Sequence, residues 1–258
     1  MRLIVSLIAL LAFTLNTAAQ SKSKQDYYMV RIYHCVNPAQ VSMVEEFAGK
    51  QLIPFLHKNG VKQVGVFQPV DNDTLKDKKV FVWIPFASLD QMAKTEAQFE
   101  KFDPWSSDPL IHLDSANGQA PYVRIETSIS TAFRFMTSYD PKTSFKRSTD
   151  NIYEYRNYES STENLHLGKV NMFNEGGEIT LFKKLDFNAL FYARVIAGPR
   201  MPNLIYMTRF ENMDARNAHW KSFVDAPEWK TMSALPKYQG NVSRNETILL
   251  KASPLSDL

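Results

Sequence analysis

The chain has 258 residues, with 30 Lys and Arg against 27 Asp and Glu, a net charge of +3, 44% apolar residues and one cysteine. A balance this close to neutral, with both signs interspersed, excludes the concentrated basic footprint of a nucleic-acid binder. The lone Cys35 excludes an internal disulfide and a cysteine-rich zinc site; it is either a buried small hydrophobe or a free thiol.

Met1 to Ala19 carries one cation at Arg2, an apolar run from Leu3 to Leu15, and small residues at Thr17 and Ala19. This is the pattern of a cleaved secretory signal. The run is about 13 residues, short of the roughly 20 that span a bilayer as a helix, so no permanent membrane anchor is expected. Loss of Arg2 lowers the charge from +3 to +2 over 258 − 19 = 239 residues, in a secreted or periplasmic setting.

Gln25 to Val36 reads as a strand ended by Asn37-Pro38, a helix start in which Asn37 caps and Pro38 fits the first helical position. Val41, Val44, Phe47, Ala48, Leu52, Phe55 and Leu56 then recur at helical spacing up to Gly60, with a kink expected at Pro54. Val61 to Val70 and Lys79 to Pro85 form a hairpin across the polar turn Asp71 to Lys78. A helix opens at Ser88, which has capping-box spacing to Gln91, and runs to about Lys101; a strand over Tyr122 to Ile129 follows. The order then repeats: a strand at Ile152 to Glu159, a helix from Glu163 to Lys184 broken at Gly176-Gly177, strands at 188–196 and 204–210, a helix from Met213 and a strand at 242–251. A double glycine costs roughly 2 kcal/mol inside a helix, hence the break.

Tyr28 to Tyr33 and Tyr153 to Tyr158 share Tyr-x-x-Arg-x-Tyr, and Phe86, Asp90, Phe99 and Trp105 precede Phe210, Asp214, Phe223 and Trp229 by 124 positions each. The chain reads as a tandem repeat: residues 1–19 a signal peptide, 25–137 and 151–252 two β-α-β-β-α-β domains, and 138–150 the linker. That order is the ferredoxin-like motif, which covers one sheet face with helices and leaves the other exposed. Val80 to Ile84 is apolar on both faces, so the fold class is α+β: two tandem ferredoxin-like domains packed sheet to sheet as an intramolecular dimeric α/β barrel.

Several segments resemble the NIPSNAP family, whose domains adopt a dimeric α/β-barrel arrangement. They are the strand Tyr153-Glu154-Tyr155-Arg156-Asn157-Tyr158, the run Phe173-Asn174-Glu175-Gly176-Gly177-Glu178, the stretch Gly198 to Met207, and Trp220 through Pro227-Glu228-Trp229. Residues 27 to 129 resemble it more loosely, keeping Tyr28, Arg31, Tyr33 and Trp105. The resemblance implies the fold and a pseudo-dimer; it implies no reaction and no catalytic residues.

Strand alternation places Arg31 with Tyr33, and Arg124 with Glu126, on common faces of neighbouring strands. With Tyr28, Val30 and Ile32 packed on helices, the Arg and Tyr face is expected inside the barrel. Arg31 would then meet Glu126, and Glu154 or Arg156 would meet Glu246 or Arg244. The candidate ligand-binding residues are therefore Arg31, Tyr33, Arg124, Glu126, Glu154, Arg156, Tyr158, Arg244 and Glu246, set against the alternative that they form mutually satisfied ion pairs. Glu154 has Met29 at its place in the first half, so the pocket should favour the second half.

His34, His57, His112, His166 and His219 form no metal-ligand cluster, and His112-Leu-Asp114 is better read as a solvated loop, so no metal or cofactor is expected. Trp83, Trp105, Trp220 and Trp229 fit packing positions. Gly-x-Ser-x-Gly, phosphate-loop and dinucleotide motifs are all missing. The leading function is small-ligand binding or protein interaction through the barrel, with a small molecule and a second copy of the chain as candidate partners. The alternative, by fold analogy, is a cofactor-free monooxygenase-like or haem-dependent enzyme, which would need an interior cavity of several hundred cubic ångströms and a histidine facing it.

Overall fold

A computed structural model describes residues 24–99, 120–140 and 145–258. The signal segment, Trp105, His112, Asp114 and part of the linker lie outside them. The first half runs β1 (Tyr27–Cys35), α1 (Pro38–Phe47), a π-turn (Ala48–Leu52), α2 (Ile53–Lys58), β2 (Gly65–Pro69), β3 (Lys78–Phe86), α3 (Leu89–Phe99) and β4 (Arg124–Ala132). The second runs β5 (Ile152–Glu159), α4 (Glu163–Phe173), α5 (Glu178–Lys184), β6 (Asn188–Ala197), β7 (Asn203–Phe210), α6 (Met213–Asp225), α7 (Pro227–Ser233), a short 3-10 turn and β8 (Arg244–Ala252).

Local chemistry accounts for the boundaries. Asn37 Oδ1 accepts from the Gln40 amide at 2.9 Å and Pro38 opens α1. Gly177, at φ 98°, starts α5 in a conformation other residues avoid, which is why α4 and α5 are two helices. The kink in the first helix is the π-turn ahead of Pro54. There a Cβ on Gly49 would fall 2.4 Å from Leu255 Cβ, so the chain's last residues pack against the kink. β2 is shorter than expected because the Val61 amide closes the preceding helix by bonding Leu56 O. β4 runs three residues past Ile129 because Ser130, Thr131 and Ala132 pair with β6 of the other half.

The eight strands close into one barrel in the order β1-β3-β2-β8-β5-β7-β6-β4. The sheets of the two halves join edge to edge, β2 with β8 and β4 with β6, so none of the described strands is left at a sheet edge. Eight-stranded barrels are just wide enough for side chains to fill. Tyr28, Phe67, Phe81, Trp83, Tyr153, Tyr155 and Phe191 do so, with ring centroids of Phe67 and Tyr153 4.8 Å apart and Trp83 stacked on Phe191 at 5.8 Å. Both halves contribute to this interior, while each keeps a separate core between its sheet and its helices.

The tails are exchanged. After β4, Phe133 enters the second half's helix-side core and the Phe135 amide donates to Asn174 Oδ1 at 3.1 Å. After β8, Asp257 Oδ2 accepts from the Val64 amide at 2.7 Å and Ser256 Oγ from the Val66 amide at 3.0 Å. Cys35 is buried, and burial pushes its thiol up to about 11, as suits a small hydrophobe rather than a reactive thiol. Among the described residues no helix is long and apolar enough to cross a membrane.

Candidate functional site

The Arg and the second Tyr of each Tyr-x-x-Arg-x-Tyr strand face the helices and not the barrel interior, the reverse of the sequence-based expectation, while Tyr28 and Tyr153 point inward. Met29 and Tyr33 belong to the first helix-side core, while Tyr28 and Val30 fill the barrel. Closure excludes water from the interior of the barrel, so its most apolar face turns inward. The helix-covered faces stay open at their margins, where Arg31 and Arg156 bury their stems and remain 17% and 16% exposed. The expected cross-strand pairs fail on register. Arg31 lies opposite Thr127 and Glu126 opposite Ile32, so their side chains leave opposite faces of the sheet.

In the second half the outward face carries a dense polar network. Glu154, at 0% exposure, accepts from Arg156 Nε at 2.6 Å, Arg216 Nε at 2.7 Å and Nη2 at 3.1 Å, and Trp220 Nε1 at 2.8 Å. Burial alone would raise its pKa; the hydrogen bonds and charges of Arg216 and Arg156 outweigh it and hold the carboxyl below the usual range. Arg156 stacks on Trp220, its carbon 3.9 Å from the ring centroid, and donates through Nη1 to Tyr158 Oη at 2.9 Å. Tyr158 Oη is 3.0 Å from Tyr206 Oη. Arg156 and Arg216 remain 16% and 21% exposed, so two cations fixed by one buried carboxylate reach the surface.

Behind Tyr158, Lys169 Nζ donates to Glu178 Oε2 at 2.8 Å and lies over the rings of Tyr158, Phe173 and Trp229 at 5.5, 4.7 and 5.7 Å. Both members are nearly inaccessible, and burial pushes the Glu178 carboxyl up against the opposing pull of Lys169. Sequence reasoning missed Lys169, Glu178, Arg216 and Tyr206, and took Trp220 for packing alone. One signal was available: Lys169 falls on the buried stripe of α4 between His166 and Phe173, a costly place for a lysine without a function.

The first half has the same frame with different contents. Register sets Val82 opposite Arg31 and Tyr206 opposite Arg156, and likewise Val66 opposite Val82 and Tyr192 opposite Tyr206. Counting from the helix caps, Val44 and Met92 occupy the places of Lys169 and Arg216, and all of these first-half residues are buried and apolar. Arg31 is occupied by Glu96 at 2.6 Å, where the second half has Trp220.

The remaining predicted residues lie at one mouth of the barrel. Glu126 Oε1 is 3.7 Å from His34 Nε2, Glu246 Oε2 is 2.5 Å from Arg200 Nη1, Arg244 Nε is 3.9 Å from Glu159, and Arg124 is exposed. Glu126 and Glu246 line a cavity of about 30 Å³, the room of one or two waters. That volume is far below the several hundred cubic ångströms that an interior enzyme site would need. No cluster of three or more His, Cys, Asp and Glu among the described residues could hold a metal.

Comparison with known proteins points to the half that carries the network. Residues 153–257 match the NIPSNAP family model. The NIPSNAP-matched half contains every member of the Glu154 and Lys169 clusters. Across the whole chain the fold is similar to that of an anthrone oxidase-like protein, with 10% identity, 90% of this chain and 93% of that chain covered, and a TM-score of 0.54. It is also similar to a Lactobacillus acidophilus NCFM protein provisionally assigned as a monooxygenase, with 9% identity, coverage of 88% and 94%, and a TM-score of 0.51. A NIPSNAP family protein of Agrobacterium tumefaciens C58 is 18% identical over 42% of this chain and 98% of that chain, with a TM-score of 0.37. At such identities the likeness is one of fold. No functionally curated protein matches the chain.

Proposed function

We propose that the chain is an exported tandem protein whose NIPSNAP-matched half binds one small anionic ligand between its sheet and its helices, at Arg156 and Arg216. The carrying observation is Glu154: a fully buried carboxylate that takes four donors fixes two guanidinium groups at the surface while neutralising only one. Such preorganisation is costly to build and suits recognition of an anion, because the fixed donors need no ordering when the ligand arrives. The leader at residues 1–19, the duplication and a second copy of the chain as partner belong to the same reading. Arg31, Tyr33 and the mouth residues Arg124, Glu126, Arg244 and Glu246 fall outside it, because they are paired or solvated.

Calorimetric titration with benzoate tests this. Wild type should bind, and Arg156→Gln, with unchanged circular dichroism, should lose at least about tenfold in affinity, the scale of one charge-assisted hydrogen bond. Equal affinity in the two proteins would refute the assignment.

An oxygenase reading, suggested by the names of the barrel's structural neighbours, is favoured by one observation. His166 on α4 is buried with an unpartnered Nδ1, and burial followed by the nearby Arg194 charge lowers its pKa, leaving a neutral ring able to take a proton. Oxygen uptake with anthrone that disappears in His166→Gln would establish it; no uptake would remove it.

A further inference from the structure

The hydrogen-bond inventory of the two tyrosines narrows the chemistry of the anion; the argument rests on the binding site proposed above. Tyr206 is fully buried, and Tyr158 Oη is its hydroxyl's hydrogen-bond partner among the described residues. A phenol has one proton to give. If Tyr158 gave its proton to Tyr206, the Tyr206 proton would be buried without an acceptor, at a cost of about 1–3 kcal/mol. The favoured arrangement therefore runs Tyr206 Oη–H to Tyr158 Oη. Tyr158 Oη also accepts from Arg156 Nη1, so both donors polarise it and its own proton has no acceptor among the described residues.

We infer that the Tyr158 hydroxyl and the outer edge of Arg156 form a two-donor site for a single anionic oxygen, that of a phenolate or enolate. Arg156 spends Nε on Glu154 and one Nη1 proton on Tyr158. Glu154 takes the edge through Nε, and Tyr158 shares Nη1, which removes one of the two edges a carboxylate can grip side-on and crowds the other. Three of the five guanidinium protons remain, on Nη1 and Nη2, and one of them together with the phenolic donor of Tyr158 can meet on a single oxygen. The surroundings suit a flat, delocalised ligand: Trp220 backs Arg156, and Phe173 is 6.4 Å from Tyr158. The first half lacks the device, because Val82 stands where Tyr206 does.

The test uses the full chain with p-nitrophenol at a pH where it is half ionised, with p-nitroanisole as the neutral isostere and benzoate as the carboxylate control. Wild type should bind p-nitrophenolate at least about tenfold more tightly than p-nitroanisole, and absorbance should show bound p-nitrophenol shifted toward its ionised form. Tyr158→Phe should lose about tenfold for the phenolate while changing benzoate affinity by less than about threefold. Tyr206→Phe, which keeps the buried ring, should lose a smaller factor in the same direction and serves if Tyr158→Phe misfolds. Unchanged phenolate affinity in both tyrosine variants, with benzoate lost in Arg156→Gln, overturns this inference and leaves the anion site standing. Indifference of every ligand to Arg156→Gln, or no binding of any probe, overturns both.

Discussion

The two halves of the barrel share a backbone and differ in what they place between sheet and helices. At the positions of Lys169, Tyr192, Tyr206 and Arg216 the first half has Val44, Val66, Val82 and Met92, all buried. The apolar version is therefore sufficient for the fold. A buried ion pair seldom stabilises more than well-packed apolar side chains of similar size, so the second half's charged residues must be explained by what they do. This contrast, rather than the barrel interior that both halves fill with aromatic rings, is what singles out the second half for the proposed ligand.

The sharpest way to break the comparison is to remove its anchor. Glu154→Ala leaves Arg156 and Arg216 without their shared carboxylate and should cost about 3–5 kcal/mol in urea unfolding. Met29→Ala, at the matching place in the first half, should cost about 2–5 kcal/mol by truncation alone. Only the Glu154 change should bring a change in the pH profile. Because the folded Glu154 pKa lies below the ordinary glutamate value of 4.5, its contribution is complete above that pH and is lost as pH falls through the lower folded value. Wild-type stability should therefore drop in that acid window, and Glu154→Gln should flatten the drop.

The buried pair offers a finer test. Lys169→Val alone strands Glu178 and should cost about 3–5 kcal/mol, while Lys169→Val with Glu178→Leu should return to within about 1 kcal/mol of wild type. A double variant as unstable as the single one would mean that the pair supports the fold. The smallest effect belongs to the first half: the Arg31 and Glu96 pair leaves Glu96 41% exposed, so Glu96→Gln should change stability by about 0–1 kcal/mol.

Element order, the caps at Asn37 and Ser88, and the glycine break between α4 and α5 were legible because each is local chemistry. The barrel followed from strands apolar on both faces. Which face pointed inward was not legible. Tyr28, Val30 and Ile32 are apolar enough to suit either side of the sheet, and only closure across β4–β6 and β2–β8 makes the interior the drier of the two. The motif that drew attention, Glu154, Arg156 and Tyr158, belongs to the proposed site. Its partners Arg216 and Trp220 lie 62 and 66 residues away on α6 and could be joined to it only by the packing of that helix on the sheet.

The claim that one half alone carries the site is tested most directly by the stoichiometry of benzoate binding measured calorimetrically on wild type, Arg31→Gln and Arg156→Gln. One site per chain, kept in Arg31→Gln and lost in Arg156→Gln, is the predicted result. Two equivalent sites per chain, or loss of binding in Arg31→Gln with Arg156→Gln unaffected, would contradict the account.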